Sequence, residues 1–214
     1  MAEVTAIEGS AEVSIRQLRN GEQTDFNTAF KNFPETSDVF PLRVVASIFS
    51  LDPGAEGGGV AIAQLADPTE LFQPNPAEFA INMAIDSRAA DLRYEGRARL
   101  VEQRSILLGP LATGAEDGQP ATVRSRLFLD GALALHAVAP GADLSGAGVV
   151  LVLTVDYAGA DGARTLFTGE ITLSGTAGGL ASASSSGGLA TALLFLAALS
   201  SSVDEFSVLR ALII

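Results

Sequence analysis

The residue types that most often carry catalysis are scarce in this chain of 214 residues. It contains one histidine, His136, and no cysteine. His136 lies in an apolar run typical of a strand, so we interpret it as a structural residue at a sheet face. One histidine is too few for a His-based triad or a His-rich zinc site, and the lack of cysteine excludes disulfides and thiolate ligands. The Gly57–Gly59 run lacks the Lys-Ser/Thr of a phosphate-binding loop. The sequence therefore predicts a protein that is not an enzyme and needs no cofactor.

Arginine side chains offer the most specific chemistry in the sequence. Five of them are predicted to lie on two sheet faces, because side chains alternate along a strand. They are Arg93, Arg97 and Arg99 on one strand and Arg124 and Arg126 on another. One interpretation is a solvated face with ion pairs to Glu95 and nearby acids. Another is a cationic patch that receives acidic loops of a second copy, and a small anionic ligand is a third.

Acidic loops recur along the chain and share a Gly-Ala-Asp/Glu sequence. They are Gly54-Ala55-Glu56, Gly114-Ala115-Glu116, Gly141-Ala142-Asp143 and Gly159-Ala160-Asp161. Carboxylates on such turns suit Ca²⁺, at Glu116-Asp117-Gly118 or at Asp156 with Asp161-Gly162. No EF-hand spacing accompanies them. We therefore predict no metal and keep calcium as a weaker alternative.

The charge balance bears on the partners of this protein. The chain has 25 acidic and 13 basic residues and a net charge of -12. Nucleic acid and anionic membrane surfaces are disfavoured, because both need clustered cations. Residues 1–10 contain two glutamates and no apolar run, so no signal peptide is recognised. We expect a cytoplasmic protein or a mature form that has lost its leader.

Alternating apolar residues predict an all-β fold for residues 1–174. The pattern is typical of an antiparallel β-sandwich of jelly-roll-like type. The predicted strands are Val4–Leu18, Leu42–Leu51, Val60–Leu65, Phe79–Ile85, Asp91–Val101, Thr122–Leu129, Ala132–Ala139, Val149–Asp156 and Arg164–Leu173. Asn20-Gly21 is a strong turn signal. Asp130-Gly131 predicts either a two-residue hairpin turn or a bulge in one long strand.

One short helix is predicted near the N-terminus, over Thr24–Pro34. Phe26, Phe30 and Phe33 recur at positions i, i+4 and i+7, and Pro34 ends the pattern. The Phe stripe suits a plug over one end of the sandwich. A partner-binding face is the alternative.

The C-terminal fifth differs from the rest of the chain in its apolar and small-residue character, and no charged residue lies between Glu170 and Asp204. Residues 175–188 are a Gly/Ser/Ala-rich stretch that predicts a linker, and Leu189–Leu199 predicts an apolar helix. Eleven residues give a helix of about 17 Å, which is too short to span a bilayer unless its flanks join it. A final strand is predicted over Phe206–Ile214, with Phe206, Leu209, Leu212 and Ile213 as its contact residues. This segment either packs on its own domain or is exchanged with a neighbouring copy.

These features together predict a structural subunit that assembles with copies of itself into a filament, shell or surface layer. Strand exchange and contacts between acidic loops and the arginine face would hold the copies together. The alternative is a β-sandwich binding protein for a small apolar or anionic ligand. A membrane-tethered accessory domain is a third hypothesis.

Overall fold

The computed structural model describes an all-β protein. It describes residues 2–34, 41–51, 56–65, 79–88, 91–108, 127–133, 135, 143–159, 162–177, 181–190 and 207–213. These residues form eleven strands and no helix: β1 (Ala2–Arg19), β2 (Glu22–Phe33), β3 (Leu42–Ser50), β4 (Gly57–Leu65), β5 (Phe79–Ser87), β6 (Leu92–Leu108), β7 (Leu127–Leu133), β8 (Gly148–Gly159), β9 (Gly162–Gly175), β10 (Ala181–Gly187) and β11 (Ser207–Ile213). Every strand pairing among them is antiparallel.

The chain divides into two compact units, residues 1–122 and 123–214. The first unit contains two three-stranded sheets, with strand orders β2-β1-β6 and β3-β4-β5. The second contains a three-stranded sheet, β10-β9-β8, and a two-stranded sheet, β11-β7.

A tight hairpin joins β1 to β2. Asn20 has φ 51° and Gly21 has φ 84°, so both central residues of the turn have the positive φ that a type I′ hairpin requires. The chain therefore turns back at once, and β2 pairs along β1 from Arg19↔Glu22 to Gly9↔Phe33. The Asn20-Gly21 turn is confirmed.

The predicted helix over Thr24–Pro34 is wrong, because these residues form most of β2. The i, i+4, i+7 spacing places Phe26 and Phe30 on one side of a strand and Phe33 on the other. Phe33 packs against the core, while Phe26 and Phe30 are exposed. A ready partner strand supplied by the hairpin thus outweighs a helical spacing of three aromatic residues.

One hydrophobic cluster draws side chains from both sheets of the first unit. Its buried members come from β1, β3, β4 and β6, and they alternate with exposed or half-buried residues along each strand. They are Ala11, Val13, Ile15, Leu42, Val44, Ala46, Ile48, Ala61, Ala63, Leu65, Leu92 and Tyr94. Small residues are frequent among them, which agrees with a chain that has no tryptophan.

The predicted strand Asp91–Val101 is confirmed within β6. Leu92 and Tyr94 are buried, and Arg93, Arg97 and Arg99 are exposed, as period-2 alternation requires. Register with β1 is continuous from Arg19↔Leu92 to Ala6↔Ser105, where it shifts. The strand therefore holds Arg93, Arg97 and Arg99 on the side of the sheet that faces away from the core.

In the second unit, β8 and β9 form an antiparallel pair, and they confirm the strands predicted over Val149–Asp156 and Arg164–Leu173. Ile171 and Leu173 are buried on one face of β9, whereas Glu170 is exposed on the other. The predicted strand Val149–Asp156 is apolar on both faces, yet among the described residues β8 lies at the edge of its sheet, and Val150 and Val152 are each 59% exposed. Apolar residues on both faces of a strand are thus not sufficient evidence of a central position.

Strand β10 lies within the stretch predicted as a linker. It pairs with β9 from Ala181↔Gly175 to Gly187↔Gly169. Leu189 and Ala190 then form a turn, with hydrogen bonds from the Leu189 N–H to the Ser186 carbonyl and from the Ala190 N–H to the Gly187 carbonyl. The rest of the predicted apolar helix, residues 191–199, lies outside the described residues.

Strand β7 runs straight through Asp130-Gly131. The hairpin turn predicted there is wrong, because β7 is continuous over Leu127–Leu133 and pairs with β11 without a shift in register. The predicted C-terminal strand is confirmed over Ser207–Ile213, and it pairs with a strand of its own chain.

Candidate functional site

The outer face of sheet β2-β1-β6, the side away from the core, carries the three predicted arginines that the structure describes, Arg93, Arg97 and Arg99. Strand register fixes which side chains are neighbours, because directly opposite residues share a face. Three successive rows run from β2 through β1 to β6: Phe26, Arg16, Glu95; Thr28, Ser14, Arg97; and Phe30, Glu12, Arg99. Aromatic residues thus occupy one edge of this face and arginines the other.

Glu95 gathers two of the arginines on the outer face. Arg93 Nε lies 3.1 Å from Glu95 Oε1, and Arg16 pairs with Glu95 Oε2 from the neighbouring strand β1. The Glu95 side chain is partly buried between them. The predicted ion pairing with Glu95 is therefore present for Arg93.

Arg97 and Arg99 are arranged differently. Both are exposed, and neither forms an ion pair or a hydrogen bond within the described part of the chain. Ser14 lies opposite Arg97 and cannot neutralise it, while Glu12 lies opposite Arg99 without forming an ion pair. These two guanidinium groups keep their hydrogen-bond donors available to an external carboxylate.

Two exposed phenylalanines complete the outer face. Phe26 and Phe30 are 51% and 57% exposed, and they lie on the same side of the sheet as the arginines. The sequence does not predict that they belong to this face, because their helical spacing assigns them to a separate helix. The alternation of Asn27, Ala29 and Lys31 with these phenylalanines is the signal for a strand, although it is weak.

The remaining predicted contact residues lie elsewhere. Arg124, Arg126 and Phe206 are outside the described residues. Leu209, Leu212 and Ile213 are on β11, opposite Gly131, Phe128 and Leu127 of β7. The structure therefore brings Arg93, Arg97 and Arg99 together and places the three β11 residues on another sheet.

Two of the acidic loops have their carboxylate in the described residues. Glu56 and Asp143 are both exposed. The Ser145 hydroxyl and then the Ser145 N–H hold the pKa of Asp143 below its ordinary value, and the N–H donates to Asp143 Oδ1 at 2.7 Å. Asp143 therefore stays ionised in mildly acidic solution, as a carboxylate that contacts an arginine must.

The predicted calcium loops are only partly described. Asp156 accepts a hydrogen bond from the Thr165 hydroxyl at 2.7 Å, while Glu116, Asp117 and Asp161 lie outside the described residues. Within the described ranges, no three acidic or histidine side chains are grouped closely enough to hold a metal ion. His136 is likewise outside these ranges.

A partly buried ion pair lies on the opposite side of β6 from the exposed arginines. Arg104 Nε pairs with Glu102 Oε1, and the Glu102 side chain is 5% exposed. Glu102 Oε2 and Arg104 Nη2 are buried and have no hydrogen-bond partner. Pairing offsets part of the cost of burying these charges, so loss of either partner would leave an uncompensated charge.

Comparison of the chain with protein-family models, curated proteins and solved structures found no match. In the part of the chain that the structure describes, no helix has the length and apolar character needed to cross a bilayer.

Proposed function

We propose that this protein is a non-enzymatic structural subunit that assembles with copies of itself. The outer face of sheet β2-β1-β6 receives acidic loops of a second copy, and the C-terminal strand adds to a sheet of a neighbour. The single observation that carries the proposal is the pair of exposed guanidinium groups, Arg97 and Arg99, which have no ion-pair partner among the described residues. They belong to a chain whose net charge is -12.

Charge complementarity supports this arrangement. An acidic surface repels other acidic surfaces, so two copies approach favourably only where a local cationic patch meets carboxylates. Arg97 and Arg99 provide such a patch, and Glu56 and Asp143 are exposed carboxylates in loops that share one sequence pattern. Arginine suits the contact because its planar fork binds a carboxylate with two parallel hydrogen bonds.

Aromatic exposure on the same face adds an apolar component. Phe26 and Phe30 present apolar area next to the cations, and interfaces are enriched in aromatic residues and arginine. Burial of these two rings in a contact would add hydrophobic stabilisation to the ion pairs. A face that mixes both kinds of residue fits an interface better than a solvated surface.

The arrangement of the two sheets in the first unit is part of the same proposal. We propose that the two sheets of the first unit form a sandwich, because one cluster of buried side chains is shared by β1, β3, β4 and β6. Such a sandwich presents its outer sheet faces and its free strand edges to neighbours. The jelly-roll-like connection of the strands stays a prediction.

A binding protein for a small anionic ligand is the second candidate. The same observation favours it, because a ligand that combines a carboxylate with an apolar group would suit Arg97, Arg99, Phe26 and Phe30. This function needs no second copy. The two candidates therefore differ in the mass of the particle in solution.

Light scattering of the full chain over a range of protein concentrations tests the proposal. We expect particles whose mass is a multiple of 21.9 kDa and grows with concentration. Because exposed ion pairs are screened by salt, raising the salt from low to about 1 M should reduce that mass. A chain that stays monomeric at every concentration and salt level would overturn self-assembly and favour the binding protein.

A further inference from the structure

The two edges of sheet β3-β4-β5 differ in how well their inward side chains are covered. On β3 the inward residues are at most 6% exposed, and they are Leu42, Val44, Ala46 and Ile48. On β5 the residues that share the core-facing side are Ile81, Met83 and Ile85, which are 47%, 36% and 42% exposed. Ile81 and Met83 lie opposite Ala63 and Ala61 of β4, which are both fully buried. The core is thus left partly open along β5.

A glycine on β6 explains how these side chains are held. A Cβ added at Gly96 would lie 3.1 Å from Ile85 Cδ1 and would overlap Met83 Sδ. Met83 and Ile85 therefore pack over the bare backbone of Gly96, and no side chain at that position covers them.

The edge of β5 is also unpaired in its backbone. Within the described residues, β5 pairs only with β4, so the other row of its N–H and C=O groups has no strand beside it. An apolar edge strand with open hydrogen-bonding groups is a template for pairing with another strand.

We propose that β5 accepts strand β11 of a second copy. This rests on the strand-addition part of the proposed function and names the acceptor. In its own chain β11 has β7 as its one partner among the described residues, and a two-stranded sheet is marginally stable alone. Addition of β11 to β5 joins the two sheets into one five-stranded antiparallel sheet that runs from one copy to the next.

Charge complementarity sets the register. Asp86 is the one ionisable residue of β5, and Arg210 is the one ionisable residue of β11. Asp86 Oδ2 lies 2.7 Å from Arg88 Nε in an exposed ion pair, so its other oxygen is left for Arg210. Within its own chain Arg210 already lies opposite an acid, Asp130 of β7. We assign the antiparallel register in which Arg210 of one copy lies opposite Asp86 of the other.

The same register matches the apolar residues. Counting from Arg210 and Asp86, Ala211 falls opposite Ile85 and Ile213 falls opposite Met83. Opposite residues share a face, so Leu209, Ala211 and Ile213 would cover the exposed apolar side of β5. One register therefore satisfies both the charges and the apolar stripe.

Cross-linking in this cysteine-free chain tests the inference directly. Ala84→Cys on β5 and Leu212→Cys on β11 are opposite each other in the assigned register, where Cα atoms lie about 4.5–5.5 Å apart and a disulfide can form. The two single-cysteine proteins are mixed, oxidised and analysed for the mixed dimer. Ala80→Cys is the control on the same strand, because four residues displace it by about 13 Å. Val45→Cys is the control on the opposite edge strand, β3.

The expected result is a mixed dimer of A84C with L212C at several times the yield of either control. If particles form but the A84C and L212C proteins cross-link no better than the controls, the inference is overturned and the proposed function stands. If the wild-type chain stays monomeric in light scattering, both are overturned.

A second test needs no introduced cysteine, which could itself disturb the edge of β5. Ile85→Lys places an inward-pointing charge on β5, opposite Ala211 of the second copy in the assigned register, and such a charge blocks strand addition. We expect I85K to lower the particle mass, with a circular dichroism spectrum like that of the wild type. Phe49→Lys, at an exposed residue of β3, is the control and should leave the particle mass unchanged. Equal masses for I85K, F49K and wild type would overturn the inference.

Discussion

Arg93 Nε lies 3.1 Å from Glu95 Oε1, two residues along the same face of β6, whereas Arg97, the next residue along that face, forms no ion pair in the described part of the chain. Arg16 pairs with the same glutamate from β1. One carboxylate thus serves two arginines, and Arg97 and Arg99 are left exposed. The outer face therefore combines an internally paired half with a half that is free to bind carboxylates.

The strand assignment of residues 22–33 predicts unequal effects for the three phenylalanines of β2. Phe33 packs against the core, so Phe33→Ser should lower the free energy of unfolding by about 2–4 kcal/mol. Phe26→Ser and Phe30→Ser should change it by about 0.5 kcal/mol or less, because both side chains are exposed. Urea unfolding of the three variants measures the difference. Similar losses for all three would point to a shared helical face and contradict the strand.

Gly21 is predicted to contribute to stability only through its left-handed backbone conformation. Its φ is 84°, and an added Cβ would have no atom within 4 Å. Gly21→Ala should therefore cost about 1 kcal/mol, since only the left-handed conformation is penalised. Gly146→Ala is a matched comparison, because Gly146 has φ 90° and equally open surroundings. Thermal unfolding of both variants checks this, and an unchanged melting temperature for G21A would show that the turn does not hold the β1–β2 register.

Leu189 is predicted to stabilise the second unit by packing tightly against Gly169. A Cβ at Gly169 would lie 2.9 Å from Leu189 N and 3.0 Å from Leu189 Cβ, and Leu189 is 1% exposed. Gly169→Ala should cost about 1–3 kcal/mol through overpacking. The nearest atom to that added Cβ is Leu189 Cγ, at 2.5 Å, which Leu189→Ala removes. The double variant should therefore lose less than the sum of the single changes. Strictly additive losses would mean that the two residues are not in contact.

Asp143 is predicted to titrate below its ordinary value of 3.8. The Ser145 hydroxyl and N–H favour the carboxylate, so the folded-state pKa is depressed. The contribution of this carboxylate to stability is then present above pH 3.8 and is lost as the pH falls through the lower folded value. Carbon NMR of the Asp143 carboxyl group measures the midpoint, which should rise toward 3.8 in Ser145→Ala. A wild-type midpoint at or above 3.8 would contradict the hydrogen bond.

Alternation made several strands predictable from sequence. On β6, apolar residues that face the core alternate with charged residues that face solvent, so one pattern identifies both the strand and its arginine face. The Asn20-Gly21 turn was equally predictable, because both positions need a positive φ and these two residues tolerate it. Where local chemistry and tertiary packing agree, the sequence is sufficient to predict the strand or turn.

The errors arose where local signals compete with distant partners. Phe26, Phe30 and Phe33 fit a helix by spacing, but their strand partner lies in β1, which a local pattern does not include. Asp130-Gly131 has turn chemistry, yet β11 pairs across it from about 80 residues away. Ser-rich β10 has no apolar alternation, so its pairing with β9 left no trace in the hydropathy pattern. Pairing between strands that are distant in the chain is thus the part of the fold that local sequence patterns do not predict.

Charge reversal at the two unpaired arginines tests the central claim most directly. Light scattering should compare the full chain with the double variant Arg97→Glu/Arg99→Glu, and with a control that changes the same total charge at exposed sites elsewhere, Arg43→Glu/Arg164→Glu. We predict that the Arg97/Arg99 variant loses assembly at low salt while its circular dichroism spectrum and melting temperature stay close to those of the wild type, and that the control still assembles. Particles of wild-type mass in the Arg97/Arg99 variant would contradict the account.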